Sequence, residues 1–271
     1  MCFNLVSEKL LWEKSYDGGC DRMAISPNGK TIYLPALEGG FWNVVDARSG
    51  GVLEKIPAKS AGSHNTAISP DGKFAYLAGL NSPILRVVDT KTRKVIREIG
   101  PFTNSIRPFT INGAQTLCYV NANNLFGFEI GDLQTGKVLQ HVEVQGFQKG
   151  PVKRHGCPSH GIALTPDEKE LWLADSANSC IHVFDNTVMP PKQVETISLR
   201  DQPGWITFSI DGRYAWPSTG DVIEVKTHKI IAHLTDETGA AVQSEKLLEI
   251  DFSGDAPVRA GNQFGLGQIT K

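Results

Sequence analysis

The chain has 271 residues, 40% of them hydrophobic and 21% charged, with a formal net charge of -2. A near-neutral balance offers no basic stripe of the kind nucleic-acid binding requires. No apolar run approaches the roughly 18 residues of a membrane span, and the length suits one closed domain.

The opening stretch, MCFNLVSEKLLWEKSYDGG, lacks a basic segment followed by a continuous apolar core, so it does not read as a secretory signal. Its Leu10-Leu11-Trp12-Glu13-Lys14 matches Val52-Leu53-Glu54-Lys55 further on, so residues 8–16 read as the last strand of a unit whose first three strands are missing.

From there the chain repeats itself. MAISPNGKTIYLPAL, FWNVVDARSG and VLEKIPA form one copy; TAISPDGKFAYLAGL and ILRVVDTKTRKVIREIG form the next. Tyr33, Tyr76 and Tyr119 stand 43 residues apart at one position of this unit. Each copy holds four short apolar runs with strand character, separated by Ser-Pro-Asn-Gly, Ser-Pro-Asp-Gly or Asp-x-x-x-Gly breaks that supply tight turns. Holding the aromatic fixed places FTINGAQTLCYVNA, IALTPDEKELWLADS and ITFSIDGRYAWPST as further copies, with Trp172 and Trp216 in the tyrosine slot. Four strands in about 43 residues is the pattern of a β-propeller blade. The expected fold is all-β: five full repeats, and a sixth unit opening within residues 245–270 at Lys246-Leu247-Leu248-Glu249-Ile250-Asp251-Phe252. Either the two ends complete one shared blade, which would pair their free edges, or the chain is a truncated longer propeller.

The repeated S-P-D-G-K-x-x-Y-L followed by V-V-D-T-K-T-x-K-V resembles the YVTN-type repeat of bacterial seven-bladed, YncE-like, surface-layer-like propellers over nearly the whole chain. The resemblance implies fold more than function, since such propellers include binding proteins, lactonases and quinoprotein- or heme d1-related enzymes. It also implies relatives that are commonly exported, hence a periplasmic or extracellular location if the N-terminus is truncated. Five full repeats depart from seven blades.

In a propeller the first strand of each blade lines the central channel. Counting back twelve residues from each aromatic marker gives the residue just before that strand: Asp21, His64, Arg107, His160 and Gly204. Four of the five are ionisable, and as a ring they would mark a channel mouth. Arg107 would pair with a carboxylate or phosphate in bidentate fashion, and His64 or His160 would serve as acid or base. The weaker alternative is a divalent metal on His64, His160 and Asp21, against which Arg107 speaks. A third reading has these groups merely hydrating a polar channel.

Trp172 follows Tyr119 by 53 residues, so about ten residues are inserted between Val142 and His160. The insertion carries Lys149, Lys153, Arg154 and His155, which would add positive potential over the channel mouth for an anionic small molecule or protein partner. Asp46, Asp89 and Asp185 recur before turns and read as turn formers; the aromatic markers read as packing between blades. The cysteines, Cys2, Cys20, Cys118, Cys157 and Cys180, show no metal-ligand spacing and read as small buried apolar residues. No G-x-S-x-G, H-E-x-x-H or P-loop is present. A monomeric scaffold binding an anionic ligand, without a resident cofactor, is the first expectation; a lactonase-like hydrolase or lyase with a His/Arg site is the second.

Overall fold

A computed structural model describes residues 1–151 and 156–269. Every regular element among them is a β-strand. The N-terminal hairpin is β1 (Cys2–Phe3) and β2 (Leu10–Trp12). Five four-stranded sheets follow, each antiparallel and in chain order. The first holds β3 (Ala24–Ile25), β4 (Thr31–Ala36), β5 (Phe41–Asp46) and β6 (Val52–Pro57). The second holds β7 (Ser63–Ile68), β8 (Phe74–Gly79), β9 (Leu85–Asp89) and β10 (Lys94–Ile99); the third, β11 (Ile106–Ile111), β12 (Leu117–Ala122), β13 (Gly127–Asp132) and β14 (Val138–Glu143). The fourth is β15 (Ile162–Leu164), β16 (Glu170–Asp175), β17 (Cys180–Asp185) and β18 (Lys192–Ser198), and the fifth β19 (Ile206–Phe208), β20 (Tyr214–Pro217), β21 (Asp221–Glu224) and β22 (Lys229–His233). A last hairpin, β23 (Ile250–Ser253) with β24 (Ala256–Ala260), follows.

The repeat turns work as their composition dictates. Ser26, Ser69, Thr165 and Ser209 each donate a side-chain hydrogen bond to the Asn or Asp two residues on. The same hydroxyl oxygens accept the N–H of the residue that starts the second strand, as Thr31 does to Ser26 and Phe74 to Ser69. Asp46, Asp89 and Asp185 are turn formers, accepting the N–H of Ser49, Thr92 and Thr187. The hydroxyls of Ser49, Thr92 and Thr187 donate to the same carboxyls, and together with the N–H bonds hold all three below their ordinary range.

The aromatic markers lie on the second strands. Tyr33, Tyr76, Tyr119 and Trp172 are almost wholly buried. Tyr119 packs with Phe128, Ile162, Leu164 and Phe184, joining the third sheet to the fourth, and Trp172 with Phe208, Ala215 and Ile223, joining the fourth to the fifth. Trp216 departs from the expected core role and remains partly exposed; among the described residues only the two-stranded sheet of β23 and β24 follows the fifth.

The terminal segments, for which a shared blade is one of two expectations, form two separate two-stranded sheets. Local turn chemistry explains the first: Oδ1 of Asn4 accepts the N–H groups of Val6 and Ser7 and folds the chain back at once.

The chain divides into two compact units. One comprises residues 1–107 with 135–137 and 252–258; the other holds 108–134, 138–251 and the residues from Arg259 onward. In the second unit the C-terminal segment lies along first strands. Gly265 accepts the N–H of Leu164, Gly267 donates to the Ile111 carbonyl, and the Trp205 indole donates to the Gln263 carbonyl.

Candidate functional site

The twelve-residue count locates a real structural position, shifted by one or two residues. Asp21 lies three residues before β3, and His160 and Gly204 two residues before β15 and β19. His64 and Arg107 are instead the second residues of β7 and β11. The first strand thus begins earlier in the second and third repeats than its composition suggests.

Neighbouring repeats meet at this position. Nε2 of His64 stands 3.1 Å from Oδ2 of Asp21, 43 residues earlier. Nδ1 of His160 stands 2.9 Å from the carbonyl oxygen of Gly204, 44 residues later, and so donates its proton there. The two histidines therefore differ. His160 is oriented by a backbone carbonyl and is 1% exposed, whereas Nδ1 of His64 is buried without a hydrogen-bond partner.

The cause lies in the register of β7. Ser63 faces Gly79 and Asn65 faces Ala78, so His64 is an extra residue, a β-bulge. Bulges re-aim side chains and occur next to functional sites. Here the bulge leaves three consecutive polar side chains buried with unpartnered atoms: the Ser63 hydroxyl, His64 Nδ1 and both amide atoms of Asn65. Ser63 is 0%, His64 8% and Asn65 3% exposed. The bulge is braced from behind: Trp42 donates its indole N–H to the Thr66 hydroxyl, which donates to the His64 carbonyl.

The electrostatics around His64 are mixed. Burial lowers its pKa most, the hydrogen bond that His64 donates to Asp21 opposes that, and the positive charges of Arg22 and Arg107 lower it further. Asp21, His64 and Arg107 thus belong to one electrostatic neighbourhood within the first unit, to which Arg22 also contributes. His160 and Gly204 belong to the second unit.

In the insertion, Lys149 donates to the carbonyl of Asn124, in the β12–β13 turn, which positions its ammonium without neutralising it. Phe147 packs edge-on to His182 at 4.8 Å between ring centroids, and Asn178 donates to the Gln148 carbonyl. The described part of the insertion therefore covers the β16–β17 turn. Lys153, Arg154 and His155 lie outside the described residues.

The cysteine reading holds for Cys118 and Cys157, which are buried, whereas Cys20 is exposed and Cys2 partly so. Cys180 is buried but in polar company, beside Asp175 and His182. Burial and the Asp175 charge push its thiol up to about 12, so with no cation beside it the group stays a neutral thiol at neutral pH.

Counting ten residues on from each tyrosine marker would have found a further buried polar series. Arg86 pairs with Glu98, and Glu129 with His141, each on the facing fourth strand. His182 meets Thr196, and Asp221 meets His233, at the corresponding registers of the fourth and fifth sheets. No protein-family model matches the chain, and no curated protein matches its sequence.

Proposed function

We propose that the five four-stranded sheets are blades of a YVTN-repeat, YncE-like β-propeller, and that the chain binds an anionic small molecule beside the His64 bulge. The observation that carries the reading is the run of unpartnered polar atoms on Ser63, His64 and Asn65. Each buried polar atom without a partner costs about 1–3 kcal/mol. Buried polar groups nearly always find a partner, so one supplied from outside, a ligand's hydroxyl or carboxylate oxygens, accounts for the group. The guanidinium groups of Arg22 and Arg107 act on the same place and favour negative charge. Asp21 orients His64, and Asn65 offers a donor and an acceptor together.

A second reading, a lactonase-like hydrolase or lyase, draws on one feature. If His64 donates from Nε2 to Asp21, its Nδ1 carries a lone pair and can act as a general base. Binding needs only the groups present, whereas catalysis also needs a positioned reacting atom, so the binding reading comes first.

The experiment is a thermal-shift screen of sugar acids, lactones and simple dicarboxylates against the wild type, His64→Ala, Arg107→Ala and His160→Ala. A carboxylate that raises Tm in the wild type and His160→Ala but not in His64→Ala or Arg107→Ala supports the assignment. Equal stabilisation of all four proteins would exclude the bulge as the site. Lactone opening by the wild type that is lost in His64→Ala would favour the enzyme.

A further inference from the structure

On β16 the residues Leu171, Leu173 and Asp175 share one face by alternation, and on β17 so do Phe184, His182 and Cys180. The first part of this face is apolar: Leu171, Leu173 and Phe184 pack into the core between the third and fourth sheets. Its last part is a buried polar trio. Asp175 faces Cys180 directly in the register, and His182 lies two residues further along β17. At the corresponding register the first sheet places Ala36 opposite Phe41, so Asp175 and Cys180 depart from the repeat and join the recurring polar position held by His182.

The three potential ligand atoms converge. Asp175 Oδ2 stands 3.0 Å from His182 Nε2 and 3.8 Å from Cys180 Sγ, and the last two are 3.7 Å apart. One central ion reaches all three corners of such a triangle with bonds of about 2.0–2.3 Å, the lengths zinc forms to carboxylate, imidazole and thiolate. Outer contacts fit as well. Nδ1 of His182 lies 2.9 Å from the Thr196 hydroxyl; with Nδ1 donating there, Nε2 is free to ligate. Asp175 accepts the N–H of Asn178 on Oδ1 and its side-chain amide on Oδ2. With the proton on Nε2 instead, His182 donates to Asp175 directly across 3.0 Å, and a bound cation takes the place of that proton. Phe126 and Phe147 stand edge-on to the His182 ring and exclude water.

We propose that Asp175, Cys180 and His182 form a binding site for a thiophilic divalent cation, zinc first, closed over by the inserted loop through Phe147. Thiolate with imidazole and carboxylate selects zinc over calcium or magnesium. The ion would cross-link β16 to β17 within one hairpin, on a different group of residues from the His64 bulge.

The test uses the full chain carrying Cys2→Ser and Cys20→Ser, so that exposed thiols do not contribute. The reduced, chelator-treated protein is titrated with cobalt(II) and then zinc. One equivalent of cobalt with a thiolate-to-metal charge-transfer band, displaced by zinc, is expected. Cys180→Ala should abolish the band, Cys157→Ala should keep it, and Thr196→Val should weaken binding roughly ten-fold. A band that persists in Cys180→Ala, or zinc uptake equal in that variant and its parent, overturns the proposal. Should Cys180→Ala not fold, the parent decides alone: a cobalt spectrum without a thiolate band excludes Cys180 as a ligand, leaving the trio as a protein-only hydrogen-bond cluster.

Discussion

The carbonyl of Gly265 accepts the backbone N–H of Leu164 at 2.9 Å, joining the C-terminal segment to a strand a hundred residues earlier in the chain. The same carbonyl accepts the Thr110 hydroxyl at 2.5 Å. Gly265 has φ of +55°, and a methyl group added there would overlap Ala163. Left-handed backbone and overpacking act together, so Gly265→Ala should cost about 2–4 kcal/mol in chemical denaturation. A loss below about 0.5 kcal/mol, the range of an ordinary surface substitution, would mean that this segment is not docked.

His64 and His228 should give opposite pH signatures. Burial leads in depressing the His64 pKa below 6.5. The native state therefore resists protonation: stability is full above pH 6.5, falls as pH drops below it, and levels off under the depressed folded value. His64→Asn should flatten that acid-side loss. At His228, burial pulls the pKa down, but the hydrogen bond to Glu195 and the charge of Glu170 outweigh it and the pKa rises above 6.5. Its contribution is full below pH 6.5 and fades as pH climbs through the raised value, so His228→Gln should cost most on the acid side. Urea midpoints from about pH 5 to 8 measure both. Identical slopes in the two variants would contradict the assignment.

Tyr33, Tyr76 and Tyr119 made the sheets legible because each turn is local and the marker recurs every 43 residues. The bulge at His64 was not legible: alternation on one strand cannot reveal that two residues face one on its partner. Asp175, Cys180 and His182 escaped because their spacing of five and then two is no linear ligand motif and makes sense only once β16 and β17 are paired in register. The docking of Gly265 on Leu164 is a long-range contact in a segment without strand patterning. The Asn4 turn competes with the likeness of Leu10–Lys14 to a closing strand, and only the pairing of β1 with β2 decides between them.

Arg86 and Glu98 should respond unequally to truncation. The Arg86 side chain is 9% exposed and donates to Glu98 and to the Pro57 carbonyl, whereas Glu98 is 36% exposed and also pairs with Lys59 at 2.7 Å. Glu98→Ala strands a buried guanidinium and should cost about 2–4 kcal/mol. Arg86→Met leaves Glu98 with Lys59 and water and keeps the packing of the stem, so it should cost under about 1.5 kcal/mol. Denaturant midpoints that reverse this order would show that the charge of Arg86 is solvated in the native state.

Trp42 and Thr66 test the brace behind the His64 bulge. The indole N–H reaches the Thr66 hydroxyl at 2.9 Å, and both residues are buried. Thr66→Val keeps the shape but removes the acceptor, leaving a buried N–H unsatisfied at about 1–3 kcal/mol. Thr66→Ser keeps the hydroxyl and loses one methyl, so it should cost about 1 kcal/mol. Because Thr66 also fixes the His64 carbonyl, Thr66→Val should weaken any carboxylate found to bind at the bulge, while Thr66→Ser should not. Stability measured beside ligand-induced Tm shift separates the two effects: a valine variant that is less stable yet binds as the wild type does would confine Thr66 to a structural role.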